Sequence, residues 1–390
     1  MRAAVFTRSA VALALLTLST TSAVHANPVL LFEPATGLVL HAEDPDRSWH
    51  PASVTKLMTA YLTFEAVKTG RLAWDSNVPL SDNARGQPAT RIGLKGGIKL
   101  NVEQAIRGLI LRSANDFATA LAETVGGTEE KFIELMNDTA KHLGMSRSRF
   151  KNPHGLPDPE QVTTARDMAL LTAALLRDFP DRAEVFSTPT VLIHKGTFHS
   201  QNDLLRDVEG GDGMKTGFTC ASGYNVVASA TRNGRQLVAV VLGAVNRTTR
   251  SERATDLIEA GFTQIAGGKA AEAAAASHAK SALSHSAKPV TLKDLALTPA
   301  EPVPPYDMTR ETRTGKCGNS SRVARRAPKT VAKAETAQAA PTIAAAPVAT
   351  AAAVVTGSVQ KIAKPKPRPA AKPRDNADGA GNSVQPLSQN

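Results

Sequence analysis

Three short stretches of this chain hold residue types that together could transfer an acyl group. In Pro51-Ala-Ser-Val-Thr-Lys-Leu-Met-Thr-Ala-Tyr-Leu62 a serine stands three residues before a lysine. One helical turn brings positions i and i+3 onto the same face, so the Ser53 hydroxyl and the Lys56 amine can meet. A serine attacks only when a base takes its proton. A lysine that is desolvated and close to another cation has its pKa lowered enough to be that base. Ser53 at a helix start also offers its own backbone N–H to a developing oxyanion. Taken alone, the same pair also reads as a helix cap and a solvated stem. Ser113-Ala-Asn115 and Lys215-Thr-Gly217 follow later in the chain.

Those residues need elements to hold them. Leu57, Ala60, Tyr61, Phe64 and Val67 recur at helical spacing, which predicts a helix from Ser53 to about Lys68, closed by Gly70. Residues 29–42 read as a hairpin. Residues 72–100 read as irregular, with small extended pieces at 89–92 and 98–100. Asn101 and Gln104 form a capping-box pattern ahead of a helix to Leu111. A helix from Asp116 to Val125 follows the break at residues 112–115, and another covers Glu129 to Leu143. Residues 150–163, with three prolines, must be a loop, and Thr164 caps a helix over 166–176. From Val191 the pattern changes to strands. Asn233-Gly234 is the strongest hairpin signal, and Leu237 to Ala244 reads as a central strand. A last helix is expected over 250–260, ended by Gly261. Strands at both ends with helices between predict an α+β domain with one antiparallel sheet and helices packed against it.

Composition divides the 390 residues into three. Arg2 and Arg8, the apolar run Ala10 to Leu18 and Val24-His25-Ala26 read as a signal peptide over 1–26, so export to the periplasm or cell envelope is expected. Residues 27–263 hold nearly all the aromatics and form the expected catalytic domain. Residues 264–390 are a basic Ala/Pro/Lys-rich tail, expected to be mostly disordered. From Lys269 onward stand 18 Lys and Arg against 8 Asp and Glu, so the net charge of +11 belongs mainly to the tail. That basic tail has almost no aromatics to stack bases, and with export this excludes nucleic acid as a partner. An electrostatic tether to an anionic membrane or wall surface is expected instead. Cys220 is read as a single buried thiol, with a bridge to Cys317 as the alternative. Two cysteines without a nearby histidine pair make no zinc or iron–sulfur site.

The three motifs, in this order and setting, resemble those of the penicillin-recognising serine enzymes. With Asn152-Pro-His-Gly155, Thr164-Ala-Arg-Asp-Met168, Asp212-Gly-Met-Lys-Thr-Gly217 and Gly223-Tyr-Asn-Val-Val-Ala-Ser229, residues 28–263 resemble the low-molecular-mass D-alanyl-D-alanine carboxypeptidases, the penicillin-binding proteins of peptidase family S11. The resemblance implies a beta-lactamase/transpeptidase-like fold with helices on both faces of the sheet. It implies Ser53 as the acylated nucleophile, Lys56 as its base, Ser113 as a proton relay and Asn115 as a holder of the substrate amide. Lys215 would supply positive charge near Lys56 and, with Thr216, attract the substrate carboxylate. Gly217 would permit close backbone approach. The N–H groups of Ser53 and Phe218 would form the oxyanion hole, and Arg250 would sit near the carboxylate. The implied reaction removes the terminal D-alanine from peptidoglycan stem pentapeptides, with β-lactams as covalent inhibitors and with no metal or organic cofactor. Phe218 departs from the polar residue of some relatives. The second, β-rich domain and C-terminal amphipathic helix of several relatives have no counterpart in this pattern.

Alternatives on the same fold are a DD-endopeptidase or transpeptidase, and a β-lactamase. The last needs a glutamate that positions water, and the loop holding Glu160 does not resemble that enzyme's loop. A non-enzymatic murein-binding protein would not need Ser53, Lys56 and Lys215 together.

Overall fold

The computed structural model describes residues 27–88, 90–277 and 290–297. The expected signal peptide and most of the expected tail lie outside them. Two strands, β1 (Val29–Phe32) and β2 (Val39–Glu43), form the N-terminal hairpin. A 3-10 turn (Ala52–Thr55) runs directly into α1 (Lys56–Lys68). Then come α2 (Asp82–Gly86), α3 (Val102–Leu111), α4 (Asn115–Gly126), α5 (Glu129–His142), α6 (Ala165–Asp178) and α7 (Glu184–Ser187). The strands β3 (Thr190–Ile193) and β4 (Gly196–His199) make a separate small sheet. A short α8 (Leu204–Asp207) precedes β5 (Gly211–Thr219), β6 (Gly223–Arg232), β7 (Arg235–Ala244) and α9 (Arg247–Ser277).

The main sheet has the order β2-β1-β7-β6-β5 and is antiparallel throughout. Strands from both ends of the domain therefore share it, as expected. Its two faces follow from the period of two along each strand. Leu30, Phe32, Val238, Val240 and Leu242 join the large core with α1, α3, α4 and α6. Val29, Leu31, Leu237, Ala239 and Val241 join a second core with Ala254, Leu257 and Ile258 of α9. Burial on both faces explains the unbroken apolar run of β7. Asn233 and Gly234 turn β6 into β7 with φ of +52° and +74°, the left-handed pair a two-residue hairpin requires. Every residue from Lys56 to Phe64 is buried, so α1 is a core helix rather than a one-faced one.

Four expectations are corrected. Among the described residues, 72–100 contain no strand beyond an isolated bridge from Asn77 to Asn101. They hold α2 instead, where the Ser81 hydroxyl accepts from Ala84 N. Gly261 does not end the last helix, because α9 continues to Ser277. A Cβ at 261 would stand 2.7 Å from Leu31 Cδ2 and 2.8 Å from Leu237 Cδ1, so this glycine lets the helix lie close on the sheet. The boundary at 263 accordingly falls inside a helix. Residues 290–297 also return to the domain: Val39 N donates to Val290 O, Leu292 N donates to Gly37 O, and Leu292 is buried in the main core. Cys220 is half-buried and disulfide-bonded rather than a buried free thiol, and the only other cysteine of the sequence is Cys317, outside the described residues.

Candidate active site

Ser53, Lys56, Ser113, Asn115 and Lys215 come from three separate parts of the chain, and the fold brings them to one place. Ser53 sits in the 3-10 turn and is half-exposed, whereas Lys56 one turn on is 0% exposed. Lys56 Nζ lies 3.0 Å from Ser53 Oγ, 2.8 Å from Asn115 Oδ1 and 2.5 Å from His154 O. The amide oxygen and the carbonyl can only accept. A neutral Lys56 therefore gives its two N–H bonds to Asn115 and His154, and its lone pair is left facing the Ser53 hydroxyl. Burial first, and the charge of Lys215 second, hold the Lys56 pKa well below that of a free lysine; Asp116 opposes them. Burial and the charge of Arg250 bring Lys215 down to about 7. Both amines are thus held below the ordinary lysine range by burial and by a neighbouring cation.

Ser113 joins α3 to α4 with φ of +58°, and its hydroxyl accepts from Lys215 Nζ at 3.0 Å. Lys215 also donates to Thr216 O at 2.8 Å. Asn115 begins α4. Its Nδ2 donates to Pro88 O and its backbone N–H to Thr90 O. Asp116 follows it and accepts from Gly93 N at 2.8 Å and Ile92 N at 3.2 Å. The start of α4 thus fixes both the amide that holds Lys56 and the loop beside it.

β5 is an edge strand, and an extended peptide can pair with such an edge. Gly217 on β5 abuts the turn of the serine. A Cβ there would stand 2.9 Å from Ser53 N and 3.1 Å from Pro51 O. Gly155 backs the same turn with φ of +85°, and a Cβ on it would overlap Ala52 O. Ala52 itself has φ of +48°, a conformation held by these close neighbours. Phe218 is 37% exposed, and its ring centroid lies 4.2 Å from that of Tyr224. Arg250 is buried, with Nη2 3.7 Å from Asp203 Oδ2; burial lowers its pKa to about 10, and Asp203 opposes that. Lys215 and Arg250, near enough for the charge of one to act on the other, give this end of the site a positive potential suited to a carboxylate. Among the described residues no set of three His, Cys, Asp or Glu side chains is grouped to hold a metal.

Sequence reasoning missed the His154 carbonyl, the third partner of Lys56. Only the motif Asn152-Pro-His-Gly155 pointed toward it. Its imidazole is buried, with its pKa held well below the usual value by burial and by Lys56. It also missed Asp116, which adjoins Asn115 and looks like an ordinary first-turn acid.

Known proteins share this arrangement of sequence and fold. The chain is 39% identical over 246 residues to the D-alanyl-D-alanine carboxypeptidase DacC of Escherichia coli strain K12, a match covering 61% of this chain and 62% of that one. The chain thus spans less than two thirds of that relative's length. Penicillin binding protein 5 of Haemophilus influenzae matches with a TM-score of 0.59 at 35% identity, over 61% of this chain and 71% of the other. Penicillin-Binding Protein D2 of Listeria monocytogenes, solved in an ampicillin-bound form, matches with a TM-score of 0.56 at 34% identity, over 61% and 97%. Residues 16–246, more than half of the sequence, fit the family described as D-alanyl-D-alanine carboxypeptidase. The chain belongs to that family, peptidase S11.

Proposed function

We propose that this protein is a serine D-alanyl-D-alanine carboxypeptidase that removes the terminal D-alanine of peptidoglycan stem pentapeptides. The observation that carries the reading is the environment of Lys56: two acceptors take its N–H groups, and its lone pair faces Ser53. Lys56 takes the proton as Ser53 Oγ attacks the carbonyl of the penultimate D-alanine. The N–H groups of Ser53 and Phe218 receive the oxyanion. Ser113, bonded to Lys215, passes a proton to the departing amine. Thr216, Lys215 and Arg250 hold the terminal carboxylate. Water then releases the acyl group from Ser53. A β-lactam presents the same carboxylate and a reactive carbonyl, and acylates the same serine. The N-terminal pattern of residues 1–26 supports export, and a disulfide at Cys220 suits an oxidising compartment.

The test is D-alanine release from a diacyl-L-Lys-D-Ala-D-Ala peptide, followed against pH. The Ser53→Ala variant should release none. For the parent, kcat/KM rises as Lys56 loses its proton. It falls again as pH rises through about 7, where free Lys215 loses its own. Lys215→Arg keeps its charge at high pH, so its alkaline limb should move upward. No release by the parent would overturn the proposal, and an alkaline limb that ignores Lys215→Arg would overturn the role of Lys215.

A further inference from the structure

Gly223-Tyr-Asn-Val-Val-Ala-Ser229 contains none of the proposed catalytic side chains, yet Asn225 within it is 0% exposed and makes three hydrogen bonds. Its Nδ2 donates to His50 O at 3.0 Å and to Pro51 O at 2.9 Å. Its Oδ1 accepts from Gly243 N at 2.8 Å. The two carbonyls it holds come immediately before Ala52, the left-handed residue ahead of Ser53. Asn225 also pairs directly with Gly217 across β5 and β6. Cross-strand partners project to the same face. On that face Gly217 leaves room for the serine turn, and Asn225 beside it reaches into the turn and ties it down.

The sheet is adapted to this contact. The β6–β7 register shifts between Tyr224 and Val226, so the ladder is interrupted at Asn225 and Gly243 N–H goes to its side chain. Gly243 has φ of +82°, and a Cβ there would stand 2.4 Å from the Trp49 ring. Trp49 Nε1 in turn donates to Ser222 O at 2.8 Å. The segment entering the Ser53 turn is therefore fastened to β6 and β7 by Trp49 and Asn225.

We propose that Asn225 is a positioning residue for acylation. It fixes the turn whose geometry sets Ser53 Oγ against Lys56 and aims Ser53 N–H at the oxyanion. Only an amide suits the place. It supplies two donors to two carbonyls and one acceptor to an N–H, whereas an aspartate would turn a carboxylate toward both carbonyls. This rests on the acyl-transfer reading of Ser53.

The experiment measures benzylpenicillin acylation of the full chain by stopped flow, resolving pre-covalent binding from the acylation rate constant. Asn225→Asp and Asn225→Ser are compared with Val240→Ala, a buried β7 residue that pairs with Leu30 and Val227 rather than with the turn. All are read well below their melting temperatures; Asn225→Ser, which adds no buried charge, serves if Asn225→Asp does not fold. Displacing a reacting group by about 1 Å costs on the order of 100-fold, and that is the loss expected in the acylation rate constant. Pre-covalent binding, which Lys215, Thr216 and Arg250 provide, should stay near the parent value, and Val240→Ala should acylate like the parent. A folded Asn225 variant that acylates at the parent rate overturns the proposal, as does an equal loss in Val240→Ala. If the parent is not acylated at all, it is the reading of Ser53 that fails.

Discussion

Replacing Lys56 by methionine should lower the rate of Ser53 acylation by roughly 10³-fold, within the range general bases contribute, while sparing pre-covalent binding. Methionine fills a similar volume but has no lone pair to take the serine proton. The companion variant Lys56→Arg distinguishes base from charge. Arginine keeps a cation in place but does not give up its proton in a protein, so it should fail as badly as methionine. A purely electrostatic Lys56 would be rescued by arginine. An arginine variant acylating within a few-fold of the parent would therefore contradict the proton-transfer role. The expectation rests on a fully buried amine whose other two partners are acceptors only.

The second large effect concerns stability. Arg166 at the start of α6 is buried and forms a two-pronged pair with Asp46, Nε to Oδ1 at 2.5 Å and Nη2 to Oδ2 at 2.8 Å. The same guanidinium donates to Leu292 O at 3.1 Å, Leu295 O at 2.8 Å and Ala296 O at 3.0 Å. One side chain thus binds the segment after β2, the helix α6 and residues 290–297. Arg166→Ala would remove the bidentate partner of the buried Asp46 carboxylate, and breaking a buried pair from one side costs about 3–5 kcal/mol. For a domain of this size each kcal/mol moves the melting temperature by roughly 2–4 °C, so a fall of about 6–20 °C is expected. Arg166→Lys keeps the charge but not the planar fork, and should recover only part of it. Thermal unfolding checks this, and a variant within about 1 °C of the parent would contradict it. Chains ended at 277 and at 263 extend the test: the first loses the 290–297 contacts, and the second also cuts α9. Removal of the whole tail is therefore not expected to leave the domain untouched.

What could be read in the sequence, and what could not, divides along physical lines. Asn101 and Gln104 carry their capping box in local residue types, and the structure forms both bonds. Asn233-Gly234 likewise states its turn locally. Ser53, Lys56, Ser113, Asn115 and Lys215 were recognisable as side chains with known chemistry, and the fold joins them. The His154 carbonyl was not recognisable, because every residue has one and only the fold decides which carbonyl meets a buried amine. Gly261 was misread because a glycine in a helical pattern looks like a stop. What decides its role is the sheet packed where its Cβ would be. Arg166 and Asp46 lie 120 positions apart, and neither shows its partner in its neighbours. The extended piece expected at 89–92 failed for a related reason: Thr90 O, Ile92 N and Gly93 N bond to Asn115 and Asp116 rather than to a neighbouring strand.

The central claim, that Ser53 is the nucleophile, is tested most directly by digesting the benzylpenicillin-treated protein with trypsin and locating the added mass. Cleavage after Arg47 and Lys56 isolates residues 48–56, and cleavage after Arg112 and Lys131 isolates residues 113–131. The adduct should fall on the first peptide and disappear in Ser53→Ala. An adduct on residues 113–131, or one on residues 48–56 that survives Ser53→Ala, would contradict the assignment.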